Sequence, residues 1–150
     1  MLRTYPELVD SSRRFLTGAG DYPHDCRVRT PLGIVAPTLS SQHDMSTVNE
    51  VFCRRDYDAP RDLKVAVDVG SNIGISALYF LTRNPGARVY AFEPDPKNIE
   101  RLRHNLRDFE DRYELDESAV ALSNGTARFE GPLPTTVEET LKLLKQYGGN

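Results

Sequence analysis

The chain has 150 residues, of which 19 are basic and 22 acidic, and its formal net charge is −3 at neutral pH. This length suits one domain of ordinary size, and 39% apolar residues are enough for one hydrophobic core. The balanced charge gives no broad basic surface, and no apolar stretch approaches the ~20 residues of a membrane span, so we expect a cytoplasmic protein without nucleic-acid or membrane partners.

The N-terminal part is predicted to contain a helix, a hairpin and a second short helix. Apolar residues favour a helix within residues 6–17, which a glycine-rich stretch then ends. Residues 27–37 contain a Pro-Leu-Gly turn signal between two strand-like runs, which predicts a hairpin. Ser46 or Thr47 is predicted to cap a short helix that continues through Phe52.

The first core strand is predicted where β-branched residues alternate at Val65, Val67 and Val69. The near-continuous apolar run is typical of a parallel strand buried on both faces. Gly70 and Gly74 bracket the turn into the next helix, where a missing Cβ permits positive φ and lets backbone N–H groups approach a ligand. The turn is therefore a candidate ligand cradle.

A second strand, residues 88–92, is followed by Glu93, about 25 positions after Asp68. A carboxylate at this spacing can accept hydrogen bonds from both ribose hydroxyls of a nucleoside. The alternative is a solvated acid at a strand end. Asp95 and Pro96 are interpreted as the cap and first residue of the next helix, without a chemical role.

The residues of the turn decide which nucleoside is expected. A dinucleotide fingerprint places glycine at the central position, whereas this chain has Asn72 there and an acid, Asp68, at the strand end. That carboxylate would repel a pyrophosphate and suits a cationic amino-acid head, as in S-adenosylmethionine. A nicotinamide-dependent dehydrogenase domain remains an alternative, because Glu93 suits it equally well.

The motif DVGSNIG followed by VYAFEPDP resembles the class I methyltransferases, and specifically the FkbM-type family. The resemblance extends upstream through TVNEVFCRRDYDAP and downstream through ESAVALSNGTARFEG. It implies S-adenosylmethionine-dependent methyl transfer, most simply to an oxygen of a small hydroxylated acceptor, but it identifies no catalytic residue. The positions to which it assigns cofactor binding are Asp68, Gly70, Ser71, Asn72, Gly74, Glu93 and, near the adenine edge, Ser118. Ser71 and Asn72 contact the methionine part or merely cap the next helix; the two roles are compatible.

The same resemblance implies an α/β, Rossmann-like class I methyltransferase sheet with an N-terminal helix and hairpin. Residues 1–62 would form the N-terminal covering segment and residues 63–150 a partial cofactor-binding domain. Tyr57 belongs to the segment that covers the cofactor pocket, or else its role is only packing. A third strand is predicted over residues 113–122, a short returning strand over 126–129 and a helix over 137–147.

About three of the family's seven strands are expected in this sequence, which ends before the Lys-x-Asp-x-Glu-Gly motif that the resemblance implies. We therefore expect the cofactor-binding half of an enzyme, or a non-catalytic binding module derived from one. In the expected strand order the 65–69 strand has an unpaired edge, which predicts self-association unless the hairpin covers it.

Cysteine and histidine residues give no metal signal. Cys26 and Cys53 show no C-x-x-C spacing, and the three histidines are dispersed. Although His24, Asp25 and Cys26 are adjacent, neighbours in an extended segment point to opposite sides. We expect no metal site and two ordinary thiols.

Overall fold

The computed structural model describes residues 3–122 and residue 125. Within residues 3–118 the chain is mixed α/β, and its centre is a three-stranded parallel sheet. The elements in chain order are α1 (Leu8–Thr17), β1 (His24–Asp25), β2 (Val28–Thr30), β3 (Gly33–Val35), β4 (Thr38–Leu39), α2 (Gln42–Val48), a π-helical turn (Asn49–Arg54), β5 (Val65–Val69), α3 (Ile75–Arg83), β6 (Arg88–Phe92), α4 (Pro96–Asn105), a 3₁₀ segment (Arg107–Arg112) and β7 (Tyr113–Asp116). The strand predicted over 126–129 and the helix over 137–147 lie outside the described residues.

The N-terminal elements confirm the predicted helix and hairpin. Helix α1 ends at Gly18, whose φ of 68° is left-handed. Strands β2 and β3 pair antiparallel, with Val28 opposite Val35, and β1 pairs with β4 in a second small ladder. None of the described helices combines the length and apolar character needed to cross a bilayer.

The predicted cap of the second helix is wrong. Helix α2 is capped by Ser41, whose Oγ accepts the Asp44 N–H at 3.2 Å. Ser46 and Thr47 lie inside the helix, where their hydroxyls donate to carbonyls four residues earlier. The apolar positions behind the prediction lie late in this segment: Val48 ends α2, and Val51 and Phe52 fall in the π-helical turn that continues it, so the helix begins earlier than they indicate.

The parallel sheet has the strand order β5–β6–β7, and β5 and β6 have the predicted bounds. Strand β7 is shorter than the predicted 113–122. It ends at Asp116, opposite Phe92, because β6 also ends there. The last hydrogen bond between the two strands runs from the Glu93 N–H to the Asp116 carbonyl at 3.1 Å.

The prediction that β5 is buried on both faces is wrong for the part of the chain described. Ala66 and Asp68 are buried toward α3, whereas Val65, Val67 and Val69 on the other face are 52–63% exposed. The cause is that α3 packs on one face of β5 and β6. The β2–β3 hairpin does not pair with β5, whose outer edge has no strand partner among the described residues, so self-association stays a prediction.

One hydrophobic core includes residues from both sides of position 62, the predicted boundary, which itself stays a prediction. Tyr5 and Met45 belong to the same buried cluster as Leu78 and Leu102. Asn105 on α4 also joins the two parts, because its Oδ1 accepts the Thr38 N–H at 2.8 Å.

Candidate functional site

The turn between β5 and α3 contains three residues with left-handed backbone. Their φ values are +75° at Gly70, +48° at Asn72 and +84° at Gly74. A Cβ on Gly70 would meet nothing within 4 Å, so the space above it is open. A Cβ on Gly74 would lie 3.1 Å from Leu102 Cγ, so this glycine lets α4 approach the turn.

The backbone N–H groups of this turn bond to the end of β6. Those of Gly70 and Ser71 donate to the Phe92 carbonyl at 2.9 and 3.0 Å. The Asn72 N–H donates to Glu93 Oε2 at 2.8 Å. The sequence predicts that such groups face a ligand. Three consecutive donors instead hold the turn against the neighbouring strand.

Glu93 joins two turns at the carboxyl end of the sheet. Its side chain is buried, and Oε1 accepts the Asp95 N–H at 3.0 Å and Asn98 Nδ2 at 3.4 Å. A carboxylate offers about four acceptor positions. Together with the Asn72 N–H on Oε2, three donors fill three of these positions. The fourth position, on Oε2, has no donor from the described residues.

Asp68 lies at the end of β5 with its carboxylate buried at 6% exposure. Ser76 Oγ donates to Oδ2 at 2.7 Å, and Ser71 Oγ donates to the Asp68 carbonyl at 2.9 Å. Burial raises the pKa of Asp68 above its ordinary 3.8, opposed by hydrogen bonds from Ser76, Ser71 and the Ala77 N–H. No ion pair of the described chain involves Asp68. A cationic ligand would supply the missing countercharge.

Two further residues considered in the sequence, Asp95 and Ser118, lie at the start of a helix and on the surface. Asp95 caps α4, its Oδ1 accepting the Lys97 N–H at 2.9 Å with Pro96 in the first turn, as predicted. Ser118 is exposed two residues beyond the end of β7.

A pocket of about 380 Å³ lies along the carboxyl-terminal halves of β6 and β7. The sequence does not predict this pocket, because its lining residues are brought together by strand register and form no motif. Its lining consists of Tyr90, Ala91, Phe92, Glu114, Leu115, Asp116 and Glu117.

The cysteines and the possible metal ligands are both predicted to be without a special role. Cys26 is buried and Cys53 half-buried, both free, and burial raises the pKa of Cys26 to about 12. Residues 3–122 contain no group of three or more His, Cys, Asp or Glu side chains placed to hold a metal ion.

Comparison with known proteins assigns the chain to a family. The model of the methyltransferase FkbM domain matches residues 68–146, more than half of the chain. The chain therefore belongs to the FkbM methyltransferase family, and its parallel β5–β6–β7 sheet agrees with the α/β, Rossmann-like fold expected from the sequence. The match begins at Asp68 and includes every predicted cofactor-binding residue. The family implies a methyl-donor cofactor.

Two curated relatives are similar over part of their length. The 2-O-methyltransferase NoeI of Sinorhizobium fredii is 40% identical over 65 residues, which are 43% of this chain and 26% of NoeI. The 31-O-demethyl-FK506 methyltransferase FkbM of Streptomyces tacrolimicus is 30% identical over 105 residues, 67% of this chain and 40% of that protein. The chain thus spans less than half the length of these relatives.

A solved structure of a methyltransferase from Geobacter sulfurreducens is also similar. It is 20% identical, and the match covers 49% of this chain and 48% of that one with a TM-score of 0.37.

The two glycines of the turn should respond differently to substitution. Gly70→Ala adds left-handed strain alone and should lower the free energy of unfolding by about 1–3 kcal/mol. Gly74→Ala adds the same strain and also crowds Leu102, whose Cγ would lie 3.1 Å from the new Cβ, which should cost about 1–3 kcal/mol more. Urea unfolding of both variants measures the difference. Equal losses would contradict the close packing of α4 on the turn.

Burial of Asp68 should make its charge costly to the fold. Because its folded-state pKa lies above 3.8, stability falls as pH rises through that pKa and the loss disappears below 3.8. Asp68→Asn keeps partners for Ser76 and removes the charge, so we expect a higher unfolding temperature at pH 7 and a smaller difference near pH 4.

Circular dichroism melts between pH 4 and pH 8 measure this effect. Asp108→Asn, which changes an exposed acid in the 3₁₀ segment, is the matched control and should show no such trend. An Asp68→Asn variant that melts below the wild type at pH 7 would contradict a desolvated carboxylate.

Proposed function

We propose that this chain binds S-adenosylmethionine at the carboxyl ends of β5, β6 and β7, and that the protein methylates an oxygen of a small hydroxylated acceptor. The observation that carries the proposal is the pair of buried carboxylates, Asp68 and Glu93, which end adjacent parallel strands beside the open space above Gly70. Ligands of open α/β sheets bind at this edge.

The two carboxylates suit different parts of the cofactor. Asp68 has no cationic partner among the described residues and fits the amino group of the methionine part. Glu93 keeps an acceptor position on Oε2 and can take a ribose hydroxyl, sharing the carboxylate with the Asn72 N–H. The pocket bounded by Phe92 and Leu115 is the proposed place for the adenine of the cofactor.

The turn argues against a dinucleotide ligand. A pyrophosphate needs free backbone N–H donors at the helix N-terminus. Here the N–H groups of Gly70, Ser71 and Asn72 already bond to Phe92 and Glu93, and Asp68 adds a negative charge. This arrangement favours a cationic nucleoside over NAD.

When bound, the cofactor supplies an electrophilic methyl group for in-line displacement by an acceptor oxygen. The residues described here act before that step, by binding and orienting: Asp68 fixes the cationic end and Glu93 the sugar. Since orientation of two reactants supplies a large part of such a rate enhancement, the rigidity of the Gly70–Gly74 turn is the proposed catalytic contribution of this segment. No general base is assigned.

Isothermal titration calorimetry with S-adenosylmethionine, S-adenosylhomocysteine and NAD tests the proposal. We expect the first two to bind more tightly than NAD. Glu93→Ala should weaken their binding by about 1.5–3 kcal/mol, because hydrogen bonds to a charged group are lost. Glu100→Ala, which removes an exposed acid of α4, is the matched control and should bind like the wild type.

Tighter binding of NAD, or an unchanged affinity in Glu93→Ala, would contradict this assignment. Release of S-adenosylhomocysteine in the presence of hydroxylated acceptors separates an enzyme from a non-catalytic binding module.

A further inference from the structure

Tyr57 is an aromatic residue that the fold leaves half exposed near the candidate site. It lies between the π-helical turn and β5, and 49% of its surface is accessible. Its ring meets Phe80 edge to face, with centroids 6.4 Å apart and planes at 77°. The contact fixes one edge of the Tyr57 ring and leaves much of the side chain open.

Helix α3 links this ring to Asp68. Ser76, which bonds the Asp68 carboxylate, and Phe80, which contacts Tyr57, are four residues apart and therefore neighbours on one side of the helix. Burial and the negative charge of Asp68 raise the pKa of Tyr57, with smaller contributions from Glu50 and Asp56. The ring thus lies within electrostatic range of the carboxylate.

Buried rings behind Phe80 hold the arrangement in place. Tyr79 packs against Phe80 with centroids 5.7 Å apart, and Phe52 of the π-helical turn packs against Tyr79 at 5.4 Å. Edge-to-face pairs of this kind are worth about 0.5–1.5 kcal/mol each beyond area burial. The position of Tyr57 is therefore set by a row of rings that begins in the core.

An aromatic ring beside carboxylates is a receptor for a positive charge. The face of a Tyr ring attracts a cation through its quadrupole, and the attraction grows when the pair is shielded from water. Asp68, Glu50 and Asp56 add negative charge around the same ring. A neutral group of the same shape would gain little from the ring quadrupole or from the negative charges.

We propose that the Tyr57 ring receives the sulfonium of S-adenosylmethionine while Asp68 holds the amino group, so that this site distinguishes the charged methyl donor from its neutral demethylated product. The inference rests on the proposed function. It makes Tyr57 a specificity-determining residue and favours exchange of product for fresh donor, because the product lacks the positive charge that the ring attracts.

Calorimetry with S-adenosylmethionine and S-adenosylhomocysteine tests this role. Tyr57→Leu should weaken binding of S-adenosylmethionine about three- to ten-fold and change that of S-adenosylhomocysteine less than two-fold. Tyr57→Phe keeps the ring without the hydroxyl and should retain the wild-type preference. Phe80→Leu, which removes the support of the ring, should reduce the preference as Tyr57→Leu does.

Equal losses for both ligands in Tyr57→Leu, no loss at all, or the same loss of preference in Tyr57→Phe would overturn the inference while leaving the proposed function intact. A wild-type chain that binds neither ligand would overturn both. Thermal unfolding of each variant identifies any change that reflects misfolding. If Tyr57→Leu misfolds, the comparison of Phe80→Leu with the wild type decides.

Discussion

The Glu93 carboxylate joins the two turns from which the site is built. It accepts the N–H of Asn72 in the β5–α3 turn and that of Asp95 at the start of α4, so one buried side chain fixes both helix starts relative to the sheet. A buried carboxylate is stable only when such donors surround it. Asn72, whose N–H makes one of these bonds, has left-handed backbone, and it follows Gly70 and the open space above that glycine by two residues.

We propose that this arrangement determines what the candidate site binds. The turn directs its N–H donors inward, toward Phe92 and Glu93, and leaves acceptors at the carboxyl edge of the sheet. Asp68 contributes a buried negative charge, and Tyr57 an aromatic face within range of that charge. Acceptors and negative charge favour hydroxyl groups and cations and disfavour phosphates, in agreement with membership of a methyltransferase family.

Local signals predicted the frame of the site. The bounds of strand 65–69 follow from its β-branched residues before Gly70, and those of strand 88–92 from a short run that ends before Glu93. The cap at Asp95 follows from its neighbour Pro96. The bonding of the turn could not be predicted, because it depends on which strand lies beside which. The cap of α2 at Ser41 was missed for another reason: residues 42–47 are polar except for Met45, so no apolar repeat marks where the helix begins.

Amide NMR of the ¹⁵N-labelled chain with S-adenosylmethionine tests the central claim, that the two turns joined by Glu93 form one binding site. We expect the Asn72 and Asp95 amide resonances to shift together with that of Gly70 at a single dissociation constant, while the resonance of Val9, which is exposed on α1, stays unchanged. A titration that leaves these three amides in place, or that shifts one turn without the other, would contradict it.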